Sequence, residues 1–136
     1  MSLFKRVLTG QGANLPAIYA QSQGLYANLA PQLIATDAAL TLTIAQMAGG
    51  LVIFTGFTAG RAVTTPTAAQ ILAAAPDMDI GDSFSFFASV TPAFAATWTA
   101  GVGVTLTGRA TLPASTVLQV ITVTKLSATT VSWNAS

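Results

Sequence analysis

Asp77, Asp79 and Asp82, in the run DMDIGD, bring three of the chain's four acids within six residues. A hard cation such as calcium takes about six to eight oxygen ligands around a tight glycine turn, which this run resembles. No Glu follows to close the loop bidentately, and Gly81 stands at the wrong spacing. A solvated turn is therefore the default reading, with a cation loop as the alternative. Paired carboxylates that do acid–base work face each other across a cleft, whereas these three share one turn.

The rest of the chemical inventory is thin. The chain has no His, no Cys and no Glu, which removes Ser-His and Cys-His nucleophile pairs and the common zinc sets. Lys5 and Lys125 have no local partner motif for Ser-Lys chemistry. The run GVGVTLTG, residues 101–108, contains G-x-G, but strand formers follow and no helix opens there to cradle a phosphate. Its glycines read as turn and bulge residues. Five cations against four acids give a net charge of +1, too little for a nucleic-acid footprint. Trp98 and Trp133 suit a core or an oligomer interface, and we take them as interface candidates. The expectation is a protein that is no enzyme and has no cofactor, no metal and no nucleic-acid partner.

What positions these residues is mostly strand. In ALTLTIA, residues 39–45, Leu40, Leu42 and Ile44 alternate with Thr41, Thr43 and Ala45, the period of a half-buried strand. LVIFT follows a Gly49-Gly50 turn, and a third short strand is expected near residues 61–64. SFSFFASV, ATWTA, GVGVTLTG, TVLQVITVTKL and TTVSW continue the series. Gly and Pro punctuate it about every eight to twelve residues, the spacing of an antiparallel β-sandwich or barrel-like (β-tulip-like) domain. One short helix is expected near 66–75. Thr65 before Pro66 fits an N-cap with proline at the first helical position, or Thr67 with Gln70 makes a capping box one register later. Ala68, Ile71, Leu72 and Ala75 then form one apolar stripe, and Pro76 ends the helix.

Residues 1–37 have a different texture, with scattered aromatics and no sustained period. They read as an extended N-terminal arm that orders on a neighbour, ahead of a β domain over 38–136. No apolar h-region follows Lys5 and Arg6, so no signal peptide is expected. The longest apolar stretch, residues 47–57, is broken by three glycines and falls short of the ~20 residues of a spanning helix. No membrane partner is expected.

Composition supplies the strongest functional hint. Charged residues make up 7% of the chain and hydrophobic ones 52%, whereas a globular chain averages roughly 25% charged. Such a chain either covers its outside with Thr, Ser, Ala, Asn and Gln or hides it against other subunits, and the second reading is preferred. Thr-rich strands suit burial against protein, because a hydroxyl is satisfied locally while Lys or Glu must be desolvated.

The combination TTPTAAQILAAAP (64–76), GDSFSF (81–86), GVGVTLTG (101–108) and LQVITVTKL (118–126), ending in VSW, resembles segments of small structural proteins of tailed bacteriophages. Capsid decoration (cement) proteins and head-fibre or tail-fibre proteins carry similar short-helix-then-sheet passages. The resemblance covers about residues 38–136. It implies a β-rich homotrimer made in the host cytoplasm and fixed on the capsid surface of the virion, with the major capsid protein as partner. Short length favours the decoration role over a fibre or receptor-binding component. On that reading Phe4, Tyr19 and Tyr26 anchor the arm, and Lys5 and Arg6 meet acidic coat surface.

Overall fold

The computed structural model describes residues 31–91, 93–114 and 117–136. Among these residues ten strands run in the order β1 (Gln32–Ile34), β2 (Leu40–Thr41), β3 (Leu51–Phe54), β4 (Arg61–Thr64), β5 (Ser83–Val90), β6 (Ala96–Thr99), β7 (Val104–Gly108), β8 (Thr111–Leu112), β9 (Gln119–Lys125) and β10 (Val131–Ala135). Helix α1 (Ile44–Ala48) lies between β2 and β3, and α2 (Ala68–Ala74) between β4 and β5. Sheet A has the order β1-β3-β5-β9-β10-β7 and sheet B the order β2-β4-β6-β8. One apolar cluster, reaching from Ile34 to Ala135, joins their inner faces. The domain is mainly β, as expected from the alternation, and among the described residues neither sheet closes into a barrel.

Strand direction departs from the antiparallel expectation. The chain alternates between the sheets from β1 to β6, so β1, β3 and β5 pair parallel in sheet A and β2, β4 and β6 pair parallel in sheet B. These are three coils of a solenoid-like winding. Only the last part adds antiparallel partners: β9 to β5, β10 to β9, and β8 to β6. The side-chain period is two in either direction. The Gly and Pro punctuation between strands therefore marks, in the first half, crossings from one sheet to the other.

The boundary expected after residue 37 falls inside this winding. Gln32–Ile34 pairs with β3 over Val52 to Phe54. Asp37 accepts from the Thr58 amide (3.0 Å) and hydroxyl, and pairs with Arg61 (Nη2–Oδ1 2.8 Å). Gly56 lets the first coil lie close, since a Cβ there would stand 1.9 Å from the Ala35 carbonyl oxygen.

Two helices stand among the described residues where one was expected. The strand read over residues 39–45 stops at Thr41, because Thr43 caps α1. Its hydroxyl accepts from the Gln46 amide (3.2 Å) while Gln46 Oε1 accepts from the Thr43 amide (2.8 Å). Thr67 and Gln70 repeat this reciprocal pair at α2 (3.2 and 3.0 Å). Of the two registers open for that helix, the chain adopts the capping box, with Pro66 outside it. Ala68 and Ile71 are buried, and Leu72 packs against the core beside them. Two short helices with no charge in their terminal turns would be unstable alone in water; capping and docking hold them.

Candidate interaction surface

Trp98 and Trp133, the expected interface candidates, are 3% and 0% exposed. They lie in the core, so the oligomer-interface assignment is corrected. Alternation along β6 and β10 turns them inward, where their ring centroids are 5.4 Å apart across the two sheets. Phe86 meets Trp133 edge-to-face at 5.4 Å, and Phe54 meets Trp98 at 6.5 Å. Gln119 bridges the sheets beneath them. Trp98 Nε1 donates to its Oε1 (2.8 Å), and its Nε2 donates to the Thr111 carbonyl (3.3 Å). The Trp133 indole N–H is buried with no partner. A cavity of about 90 Å³ lies between the two tryptophans, Leu106 and the β7–β8 turn, far below the roughly 300–1,000 Å³ of ordinary ligand pockets.

The acidic turn is built by hydrogen bonds within the protein. Asp82 Oδ2 accepts from the Asp79 amide (3.0 Å), Lys125 Nζ donates to the Met78 carbonyl (2.8 Å), and the Gly81 amide donates to the Lys125 carbonyl (2.9 Å). Asp77, Asp79 and Asp82 are half-buried. Among the described residues no three His, Cys, Asp or Glu side chains converge as a metal site. Phe4, Lys5, Arg6, Tyr19 and Tyr26 lie outside the described residues.

Electrostatics concentrate at one place. The Thr58 hydroxyl and amide bonded to Asp37, with Arg61 beside it, hold its carboxyl at about 2, below the usual 3.8, against an opposing effect of desolvation. The pair is a third exposed on each side and fastens the first coil to the second.

The extended feature is the outer face of sheet A. Along β5 the residues Phe86, Ala88 and Val90 point to the core, and along β9 Gln119, Ile121 and Val123 do so; their neighbours point out. Register lines these neighbours up in rows across the strands. Leu33, Ile53 and Ser89 form one row, and Leu51, Phe87 and Val120 the next. The following rows are Ser85, Thr122, Asn134 and Thr107, then Ser83, Thr124, Ser132 and Thr105. The face is thus apolar at the β1 side and hydroxyl-rich toward β7. Ser83–Thr124 (2.6 Å) and Ser85–Thr122 (3.0 Å) bond across the strands. None of these residues is charged.

Exposure varies along the apolar half. Leu33 is 67% exposed and Val120 36%, Phe87, Leu51 and Ile53 are half-buried, and Ser89 is buried at 6%. The alternation S-F-S-F and V-I-T-V-T made the hydroxyl half legible in the sequence. The apolar half was not, because Leu33 and Phe87 join it only through parallel register. Among the described residues no helix is long and apolar enough to cross a membrane. Comparison with protein-family models, curated proteins and solved structures found no match.

Proposed function

We propose that this chain is a structural virion protein, a capsid decoration or cement protein that binds the outer surface of a phage head as a homotrimer. The observation that supports this reading most is a complete sheet face of four residue rows without a single charge. Such a face is cheap to bury, since no ammonium or carboxylate has to leave water. A resemblance to tailed-phage structural proteins points the same way. No catalytic step is assigned to the chain.

Cementing works by mass action. A protein that binds the assembled lattice better than free coat protein stabilises the shell by an amount that grows with its concentration over Kd. Many weak contacts that bridge neighbouring coat subunits suffice. Phe4, Tyr19 and Tyr26 supply apolar anchors for the coat protein, and Lys5 and Arg6 supply cations for an acidic coat surface.

The test is co-sedimentation of the purified chain with phage heads that lack it. Saturable binding and a rise in the temperature at which heads release DNA support the proposal. Replacing Phe4, Tyr19 and Tyr26 with Ala is expected to weaken binding at least about tenfold, the loss of roughly 1.4 kcal/mol. A chain that leaves heads untouched and binds host cells or glycan instead belongs to the fibre alternative.

A further inference from the structure

We infer that the outer face of sheet A is the surface through which copies of this chain pack on one another. This deepens the self-association named in the proposed function and rests on it for the stoichiometry alone. Three features of the face select a second copy as the occupant.

Area comes first. Six strands about 4.8 Å apart, rising about 3.3 Å per residue, make a face of roughly 500 Å² in flat projection. That falls short of the ~800 Å² per partner of a standard stable interface, and Ser89 is already buried while Leu51, Ile53 and Phe87 are half-buried. A stable contact needs the whole face. A partner must therefore match both an apolar half and a hydroxyl half.

Chemistry comes second. The apolar half, around Leu33, Phe87 and Val120, wants an apolar counterpart. The hydroxyl half, around Thr122, Thr124 and Ser132, tolerates only a partner that brings neutral hydrogen-bonding groups, since a charge placed there would be desolvated without a counter-ion. A second copy carries both halves in the same proportions. The chain as a whole has nine charged residues, and none of those among the described residues stands in these rows.

Geometry comes third. The hydroxyls repeat at the strand spacing in two rows, from β5 through β9 and β10 to β7. Two such sheets pack about 10 Å apart with their side chains interdigitated. Three copies turned with this face toward a common axis form a prism in which each face meets those of its two neighbours, a cyclic contact that ends at a closed ring because the rotation closes.

The experiment is sedimentation velocity on the full chain and three variants across a concentration series. Leu33→Glu and Val120→Glu place a carboxylate on the face at exposed positions, where the folded monomer tolerates it. Val102→Glu adds the same charge at a residue 82% exposed in the β6–β7 turn, outside the face. The expected result is a multimer for the natural chain and for Val102→Glu, and a folded monomer by circular dichroism for Leu33→Glu and Val120→Glu. A monomeric natural chain, or multimers that survive both face variants, overturns the assignment. Binding to phage heads is measured separately on the same samples. A multimer that ignores heads leaves this inference standing and removes the decoration role. A monomer whose head binding is lost in Val120→Glu assigns the face to coat protein instead.

Discussion

Gln119→Leu is the substitution that asks most of the core. Gln119 is 1% exposed and holds the buried Trp98 N–H at 2.8 Å, so it ties β9 of sheet A to β6 of sheet B. Leucine keeps the volume and removes the acceptor. A buried donor left unmade costs about 1–3 kcal/mol. The Thr111 carbonyl also loses its 3.3 Å donor, a weaker loss because that residue is exposed and water can replace it. A better-buried leucine offsets part of this. The expected net loss is about 2 kcal/mol, a sizeable share of the roughly 5–15 kcal/mol of a typical domain.

Urea denaturation at fixed protein concentration measures it, the concentration held because association would shift the midpoint. At this chain length 2 kcal/mol corresponds to a Tm lower by about 6–10 °C. The decisive control is the same substitution in Trp98→Phe, which keeps a ring and deletes the donor. There the Gln119 Oε1 has lost its donor while its Nε2 keeps the Thr111 carbonyl, so Leu is expected to cost much less than in the natural chain, with a coupling of about 1–2 kcal/mol between the sites. An equal loss in both backgrounds would refute the hydrogen bond as the cause.

Other expectations follow from single contacts. Gly56→Ala pushes a Cβ into the Ala35 backbone carbonyl and should cost about 1–3 kcal/mol in denaturant unfolding; an unchanged midpoint contradicts the close approach. Thr67→Ala removes the α2 capping box and should lose about 1 kcal/mol, with Thr67→Ser restoring most of it. Asp37 has its folded pKa lowered to about 2 from 3.8, so its stabilisation is complete above the unfolded value and disappears as pH falls through the folded one. The natural chain should therefore exceed Asp37→Asn in Tm at pH 7, with the gap closing between about pH 4 and pH 2. A gap independent of pH would remove the carboxylate from the explanation.

Local signals survived folding and long-range ones did not announce themselves. SFSFFASV became β5 over Ser83–Val90, and the Gly49-Gly50 turn leads into β3. The capping box at Thr67 held because three residues suffice to build it. The same signature at Thr43 and Gln46 lies hidden in the alternation of ALTLTIA, which continues into the cap before the backbone turns. Parallel pairing was invisible, since coil-to-coil register depends on crossings between sheets. For that reason Leu33 read as part of an arm, when it stands directly beside Ile53 in the same row. Both tryptophans suited a core or an oligomer interface, and the shortage of charge favoured the interface. Their places at inward positions of β6 and β10 are a matter of parity that neighbouring small residues did not mark.

A cryo-EM map of a particle that contains this chain tests the central claim most directly. The expected density shows the β units in threes on the outer shell, each with the Leu33–Val120 side of sheet A covered by protein. Single units with that side bare to solvent, or shells from which the chain is missing altogether, would contradict it.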